Sequence, residues 1–351
     1  MPLSLTSLLD PLDAGFDDLI DVRAPAEFAD DHVPGAVSLP VLSDAERARV
    51  GTIYKQVSPF DARKIGAALV ARNTAAHLET ALADRPGGWQ PLVYCWRGGQ
   101  RSGSFATILR AIGWRVETIE GGYKAWRRLV VQALETGDGP PRAVALDGDT
   151  GSGKTAILAA LATRGVQVID LEALAGHRGS VFGGDPGAQP SQKTFEAALA
   201  VALARLDPAR PVVIEAESPM IGRLRLPPAV LRLLARAPRV EIAAPRAARV
   251  AHVLATYPDM GADPAGLAGL IDRLRPWQPR EVIEHWQAQA GAGDLAGLAA
   301  GLMERHYDPL YARSRVRRRP AAAVVGAGPL DGTGIAALAE EVAALVERLE
   351  G

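Results

Sequence analysis

The chain contains a single cysteine, Cys95, which ends an apolar run inside the segment YCWRGGQRS. A lone cysteine is most often a small buried hydrophobic residue, so its neighbours decide between packing and chemistry. Here Arg97, Arg101, two glycines and a serine follow it before a helical pattern begins. Positive side chains and the amino end of a helix favour the thiolate, which is the nucleophilic form of cysteine. The segment therefore predicts a reactive thiol.

The loop after this thiol is suited to hold an anion. Backbone N–H groups of a turn that enters a helix point inward, and arginine adds charged hydrogen bonds. The predicted anion-binding residues are Arg97, Gly98, Gly99, Gln100, Arg101 and Ser102.

A second motif, GDTGSGKT, spans residues 148–155, directly after the apolar run AVAL and before a helical pattern. It is a complete G-x-x-x-x-G-K-T phosphate loop, in which glycines expose amides, the lysine adds charge and the threonine is a candidate Mg²⁺ ligand. The predicted diphosphate-binding residues are Gly148, Gly151, Ser152, Gly153, Lys154 and Thr155. The motif does not select the phosphate compound, and no tightly bound cofactor is predicted.

Four further residues are candidates for a second part of this site. Glu215 and Glu217 end the apolar run PVVIEAE, where a further acidic residue of a metal site is expected, although exposed carboxylates at a strand end give the same pattern. His177 and Arg178, in LAGHRGS, are candidates for anion contacts or for positioning a base. A glycine-rich loop beside the site would have the same sequence.

Both motifs need a strand before them and a helix after them. The sequence pattern indeed alternates between predicted strands and predicted helices. Buried strands are predicted at DDLIDVR, QPLVYCW, PVVIEAE and RVEIAA, and RVETIEGGYKAWRRLVVQAL predicts a strand, a Gly-Gly turn and a helix. Glycine and proline break the pattern at residues 136–142. We therefore predict an α/β protein with domains at 1–135 and 143–351, the second with a parallel sheet, joined by a linker at 136–142.

Composition restricts the class of protein further. The 351 residues are 48% hydrophobic with a net charge of -1, which is typical of a two-domain globular chain. One cysteine excludes a disulfide framework and a cysteine-based zinc site. The acidic start and the absence of a long apolar run predict a cytoplasmic protein without a membrane segment. Arginine clusters at 223–249 and 313–319 are candidate nucleic-acid contacts, although most such runs are solvated faces.

The first half resembles rhodanese-like domains. The similarity lies in Asp21-Val-Arg23, Glu27-Phe28, His32-Val-Pro-Gly-Ala36 and VETIEGGYKAW. Five residues separate Cys95 from Arg101, one more than in the usual single-sulfur rhodanese loop and equal to the cysteine-phosphatase spacing. A wider loop fits a larger, phosphate-bearing group.

Over nearly its whole length the chain resembles the tRNA 2-selenouridine synthases. The resemblance lies in VGTIYKQVSPFDARKIGAALVARN, YCWRGGQRS, LDGDTGSGKT, LAGHRGSVFGG, QPSQKTFEAAL and HYDPLY. It implies a transferase that replaces the sulfur of wobble 2-thiouridine in tRNA by selenium from selenophosphate, with associated geranylation of that sulfur by geranyl diphosphate. It also implies that Cys95 carries selenium as S-selanylcysteine, and that the phosphate loop binds geranyl diphosphate.

Other functions fit parts of the pattern. One alternative is a rhodanese-type sulfurtransferase or a Cys-x5-Arg phosphatase with a P-loop regulatory domain. Another is a P-loop small-molecule kinase with a non-catalytic rhodanese-like module, and a third is an RNA-binding adaptor without activity. Phosphate release that depends on Cys95 would favour the phosphatase, and ATP turnover that depends only on Lys154 would favour the kinase.

Overall fold

The computed structural model describes residues 1–137, 139–177, 189–316 and 320–350. Its strands are β1 (Asp18–Asp21), β2 (Val37–Ser38), β3 (Pro91–Tyr94), β4 (Glu117–Thr118), β5 (Ala143–Gly148), β6 (Gln167–Ile169), β7 (Val212–Glu215), β8 (Met220–Ile221), β9 (Leu224–Arg225), β10 (Arg239–Ala243) and β11 (Ala323–Gly326). Its helices are α1 (Asp10–Asp13), α2 (Pro25–Asp30), α3 (Asp44–Gln56), α4 (Pro59–Glu79), α5 (Gln100–Ile112), α6 (Gly122–Glu135), α7 (Lys154–Thr163), α8 (Leu171–Leu174), α9 (Gln192–Ala204), α10 (Pro228–Arg236), α11 (Arg246–Thr256), α12 (Pro264–Asp272), α13 (Arg280–Ala292), α14 (Leu295–Leu302), α15 (Asp308–Val316) and α16 (Gly332–Glu350). A 3₁₀ turn spans Pro258–Gly261, and a π-helical turn spans Met303–Tyr307.

The chain forms two compact units. The first comprises Met1–Gly137 together with Pro190–Arg205, and the second comprises Asp138–Gln189 and Leu206–Gly351. The predicted domain limits differ from these units in one respect, because α9 belongs to the first unit although its sequence lies inside the predicted second domain.

Ion pairs connect α9 to other elements of the first unit. Lys193 Nζ lies 2.5 Å from Asp30 Oδ2, and Arg205 lies 3.1 Å from Asp13. Glu196 on α9 also pairs with Arg127 on α6. Such contacts join residues far apart in the chain, so the pattern of strands and helices did not predict them.

The first unit is built on a four-stranded parallel sheet in the order β2-β1-β3-β4. All four residues of β3 are buried, as expected for a central parallel strand covered by helices on both faces. Phe105 and Leu109 of α5 pack in the same core cluster as Val93 and Cys95. The carboxyl ends of the parallel strands share one edge, so β3 delivers Cys95 to the edge where β4 also ends.

The second unit has a five-stranded parallel sheet in the order β11-β10-β5-β7-β6. The central strand β5 enters the phosphate loop, and its neighbour β7 ends at Glu215. Helices α7 and α16 contribute Ile157, Leu161 and Val342 to the core. This order places the ends of β5, β7 and β6 side by side.

The strands predicted at DDLIDVR, QPLVYCW, PVVIEAE and RVEIAA are confirmed as β1, β3, β7 and β10. The Gly-Gly turn between β4 and α6 is confirmed as well. The strands β2, β6, β8, β9 and β11, of two to four residues, were not predicted individually, because so few residues show no periodic pattern. Strand β4 is equally short and was predicted from the Gly-Gly turn and helix that follow it. Among the described residues, no helix combines the length and the apolar composition needed to cross a membrane.

Candidate functional site

The thiol of Cys95 lies at the base of a loop between β3 and α5. The residue is 3% exposed, and its Sγ accepts a hydrogen bond of 3.2 Å from Ser102 Oγ. Ser102 is also buried and lies in the first turn of α5, whose N-cap position is Gly99. The thiol is therefore both part of the core and directed at the amino end of a helix, where negative charge is stabilised.

The loop presents a run of free backbone donors. Within the described part of the chain, none of the amides from Trp96 to Ser102 donates a hydrogen bond to a protein group. Consecutive amides without acceptors at the start of a helix form an anion-binding concavity. Anion binding by residues 97–102 stays a prediction, for which these amides would supply the donors.

The backbone of the segment EGGYKAW packs directly against the backbone of this loop. Gly122 has a φ of +58°, and a Cβ at this position would lie 2.3 Å from the carbonyl oxygen of Cys95 and 2.4 Å from the nitrogen of Gly98. The close approach lets the amide of Tyr123 donate to the Cys95 carbonyl at 2.8 Å. Only glycine allows this contact.

The two arginines of the loop have different environments. Arg101 forms a bidentate ion pair with Glu27 on α2, with N–O distances of 2.6 Å and 3.2 Å. Burial raises the pKa of Glu27, but the hydrogen bonds and charge of Arg101 outweigh burial and hold that pKa below its ordinary value. Arg97 is exposed and, among the described residues, forms no ion pair. Arg101 thus braces the loop, and Arg97 is the arginine that is available to an incoming anion.

The phosphate loop has the backbone that its glycines predict. Gly151 and Gly153 both have a φ of +79°, in the left-handed region. The amides of Gly151, Gly153, Lys154 and Thr155 donate to no group in the described structure. Lys154 is buried, and its Nζ donates to the Gly148 carbonyl at 3.0 Å, inside the same loop. The loop thus combines unbonded amides with a buried ammonium.

Three glutamates lie beside this loop. Carboxylate oxygens of Glu172, Glu215 and Glu217 all lie within 4.8 Å of one another. The hydroxyl of Thr155 bonds to Glu172 Oε2 at 3.3 Å. The structure thus brings the predicted Glu215 and Glu217 together with Thr155. It adds Glu172, which the sequence interpretation missed although it follows the apolar run VQVID.

Burial and like charge dominate the electrostatics of these glutamates. Burial raises the pKa of Glu215 well above its ordinary value, and the charges of Glu172 and Glu217 raise it further. The same causes raise the pKa of Glu172 to about 7. Burial alone lowers the pKa of Lys154, but Tyr311 and the glutamates outweigh burial and raise it. One ammonium faces three carboxyl groups, so the cluster has capacity for a further cation.

Comparison with known proteins identifies both halves of the chain. Residues 4–129 match the family model of the rhodanese-like domain, and residues 141–265 match that of the tRNA 2-selenouridine synthase AAA domain. A tRNA 2-selenouridine synthase from Hahella chejuensis is 35% identical over 336 residues, which cover 86% of each chain. The chain belongs to the tRNA 2-selenouridine synthase family.

Two further relatives agree with this assignment. A tRNA 2-selenouridine synthase from Shewanella denitrificans is 38% identical over 326 residues, covering 84% of this chain and 87% of its own. That from Marinobacter nauticus is 35% identical over 325 residues, with the same coverage. The predicted fold class is thereby confirmed, and this member of the tRNA 2-selenouridine synthase family is an enzyme with a rhodanese-like domain followed by a P-loop domain.

Helices distant in sequence contact the phosphate loop. Arg249 on α11 donates to the Thr150 carbonyl at 3.1 Å. It also forms a bidentate ion pair with Asp308, with both N–O distances at 2.8 Å. The ring of Tyr311 on α15 lies 5.7 Å from Lys154 Nζ. The HYDPLY segment, which includes Asp308 and Tyr311, thus contacts the loop, a role that its sequence did not show.

Other predicted residues bond to further protein groups or lie outside the described part. The amide of His177 donates to the Glu172 carbonyl at 3.0 Å, and burial lowers the pKa of its imidazole. Arg178 lies outside the described residues, as do residues 317–319 of the second arginine cluster. In the first cluster, Arg239 pairs with buried Asp147 at 2.7 Å and Arg249 pairs with Asp308, so these two arginines support the fold.

Proposed function

We propose that this chain replaces the sulfur of 2-thiouridine at the wobble position of tRNA by selenium, with selenophosphate as donor and geranyl diphosphate as activating substrate. The observation that carries the proposal is the buried thiol of Cys95 beneath the unbonded amides of residues 96–102, in a chain that also has a phosphate loop. The names of the relatives support tRNA and 2-selenouridine as substrate and product.

The phosphate loop serves the first reaction, which prepares the sulfur to leave. The sulfur on C2 of 2-thiouridine attacks C1 of geranyl diphosphate, the C–O bond breaks, diphosphate departs and the N3 proton is released to solvent. The amides of Gly151 and Gly153 and the ammonium of Lys154 stabilise the charge that develops on the diphosphate. Alkylated sulfur then leaves as a thiolate, whereas the sulfur of 2-thiouridine itself is a poor leaving group.

The thiol loop serves the second reaction. The Cys95 thiolate attacks selenium, and the Se–P bond breaks with its electron pair on phosphorus, which departs as phosphite and leaves S-selanylcysteine. The terminal selenium attacks C2 of the geranylated base and expels geranyl thiolate. A small thiol then cleaves the S–Se bond to release 2-selenouridine, and a second thiol regenerates Cys95, so two thiols become one disulfide. The loop amides hold the anions throughout.

The residues beside the phosphate loop fit a divalent cation such as Mg²⁺. The hydroxyl of Thr155 and the carboxylates of Glu172, Glu215 and Glu217 are the oxygen ligands that Mg²⁺ prefers. One oxygen of the buried Glu215 carboxylate, Oε2, has no hydrogen-bond partner among the described residues. When bound, the cation neutralises charge on the diphosphate.

The stability of the cation-free protein is expected to fall as the pH rises. A carboxyl group with a raised pKa binds its proton more tightly in the folded protein than in the unfolded chain. Its contribution to stability is therefore complete below the ordinary pKa of the unfolded chain and is lost as the pH rises through the pKa of the folded protein. In chelator, the unfolding free energy should fall above about pH 5 by at most about 1.4 kcal/mol per pH unit for each group. Glu215→Gln should flatten this fall, measured by urea denaturation.

The exposed Glu340→Gln on α16 is the matched control and should keep the wild-type pH dependence. At pH 8, Mg²⁺ should raise the unfolding free energy of the wild type, because a ligand that binds only the folded state stabilises that state. The increase should be smaller for Glu215→Gln. If the unfolding free energy of the wild type in chelator did not change with pH, the raised pKa values of the glutamate cluster would be contradicted.

Arg97→Ala and Arg101→Ala are expected to act differently. Loss of the exposed Arg97 should raise KM for selenophosphate about tenfold with an unchanged melting temperature, since a charged hydrogen bond to substrate is removed. Loss of Arg101 should lower the melting temperature, because the partly buried Glu27 loses its closest cation and keeps only the longer contact of 3.7 Å with Arg47. Steady-state kinetics gives KM and calorimetry gives the melting temperature of both variants. If the two variants changed KM and the melting temperature to the same extent, the division of roles between Arg97 and Arg101 would be contradicted.

A phosphatase-type reaction is the second candidate, because the Cys-x5-Arg spacing and the free loop amides also suit attack on phosphorus. In that case the thiolate would take the phosphoryl group, selenide would depart, and hydrolysis would release phosphate. Phosphorus NMR of the reaction with selenophosphate separates the two, since selenium transfer to Cys95 yields phosphite.

The proposed function is tested by nucleoside mass spectrometry. A tRNA with 2-thiouridine is incubated with the protein, selenophosphate, geranyl diphosphate, Mg²⁺ and a small thiol. The expected product is 2-selenouridine. Absence of both 2-selenouridine and geranylated 2-thiouridine would refute the proposal.

A further inference from the structure

The hairpin of α3 and α4 in the first unit ends in an exposed apolar tip. Tyr54, Val57 and Phe60 are 56%, 74% and 66% exposed, although they lie within seven residues of one another. We call these three residues the hairpin tip. Clustered exposed apolar side chains mark a contact surface more often than scattered ones do, and neither proposed reaction uses the hairpin tip.

The hairpin tip is held rigidly by its own backbone. Only Val57 and Ser58 connect the two helices, and both amides donate to the Ile53 carbonyl, at 3.0 Å and 2.9 Å. The hydroxyl of Ser58 accepts from the amide of Asp61 at 3.2 Å and caps α4. The backbone that carries the apolar side chains is therefore ordered by hydrogen bonds, which lowers the entropic cost of binding.

The other end of the hairpin anchors it to the core. Leu69 and Val70 of α4 belong to the buried cluster around β3. The side-chain amide of Asn73 donates to the Val41 carbonyl at 2.9 Å and to Glu46 at 3.0 Å. The hairpin thus has its packing at one end, and the exposed tip contributes little to the fold.

Positive charge surrounds the hairpin tip. Residues 47–64 contain five cations, Arg47, Arg49, Lys55, Arg63 and Lys64, and a single acid, Asp61, in a chain whose overall charge is -1. Arg49, Lys55 and Arg63 are exposed and form no ion pair among the described residues. Lys64 Nζ lies 6.0 Å from the centre of the Phe60 ring. Such local charge is complementary to a polyanion.

We propose that the hairpin tip is an RNA-binding surface that stacks Tyr54 and Phe60 on unpaired bases of tRNA while Arg49, Lys55 and Arg63 bind the adjacent phosphates. The inference rests on the proposed function for the identity of the RNA. Unpaired bases of RNA stack on aromatic side chains, and neighbouring cations bind the backbone. Aromatic rings together with a positive local charge favour RNA over a membrane or a protein partner.

The test is the affinity of the full chain for a tRNA with 2-thiouridine, measured by fluorescence anisotropy over a range of salt concentrations. Tyr54→Ser/Phe60→Ser should raise Kd about tenfold or more at every salt concentration, since base stacking is removed. Lys55→Gln/Arg63→Gln should also raise Kd and lower the slope of log Kd against log salt by about 0.7 to 0.9 for each phosphate that is no longer neutralised. Circular dichroism and melting temperature verify folding.

The matched control is Ile112→Ser/Val131→Ser, which removes two exposed apolar side chains elsewhere on the same unit and should leave Kd unchanged. Wild-type affinity in both hairpin variants would overturn the inference while leaving the proposed function intact. A loss of self-association measured by sedimentation, with tRNA affinity retained, would instead assign the hairpin tip to a second copy of the chain. If the wild type binds tRNA but makes no 2-selenouridine, the proposed function fails and the hairpin result still stands.

Discussion

Cys95→Ser is expected to abolish selenium transfer while the same protein still geranylates 2-thiouridine. Removing the nucleophile of a covalent step lowers its rate by more than about a thousandfold, because the remaining groups only bind substrate. Serine keeps the size of the side chain and a hydrogen bond with Ser102, so the buried site under α5 should remain folded. Nucleoside mass spectrometry should find geranylated 2-thiouridine accumulating in place of 2-selenouridine.

Accumulation of the geranylated nucleoside serves as the internal control for folding and for tRNA binding. A Cys95→Ser protein that forms 2-selenouridine at the wild-type rate would show that selenophosphate reacts with the base directly. Joint loss of both products, with an unchanged melting temperature, would show that one loop serves both reactions.

Lys154→Met is expected to reduce geranylation by about a hundredfold to a thousandfold, since in the proposed reaction this buried positive charge stabilises the departing diphosphate. Methionine preserves much of the side-chain volume, whereas the ammonium that it replaces has three glutamates for neighbours. The same variant, supplied with tRNA that already carries S-geranyl-2-thiouridine, should form 2-selenouridine at the wild-type rate. Rates of both half-reactions with defined tRNA substrates measure this separation.

Arg273→Met removes an exposed positive charge elsewhere in the second unit and is the matched control, with both half-reactions expected to be unchanged. Equal loss of both half-reactions in Lys154→Met, at an unchanged melting temperature, would contradict the assignment of the phosphate loop to geranyl diphosphate.

Both loops could be predicted from the sequence because each is local. A buried strand, a glycine-containing loop and a helix lie within about twenty residues around Cys95 and again around Lys154, and the structure confirms these elements at β3, α5, β5 and α7. The resemblance of EGGYKAW to a known signature also has a physical basis, because Gly122 contacts the backbone of the thiol loop.

The partners of these loops depend on packing and could not be predicted. Glu172 meets Glu215 only because the short strand β6 lies next to β7, and the two residues are 43 positions apart. The contact of Arg101 with Glu27 spans 74 positions, so the brace that Glu27 gives the loop was not predicted. No local pattern contains such pairings, which follow from strand order and helix packing.

The central claim is that geranylation precedes and enables selenium transfer, with a separate loop for each step. The most direct measurement supplies the protein with selenophosphate and a small thiol, without geranyl diphosphate, and compares two tRNAs by nucleoside mass spectrometry. The tRNA that carries S-geranyl-2-thiouridine should yield 2-selenouridine, and the tRNA that carries 2-thiouridine should yield none. Equal yields from both tRNAs, or a yield from 2-thiouridine alone, would contradict the proposed sequence of reactions.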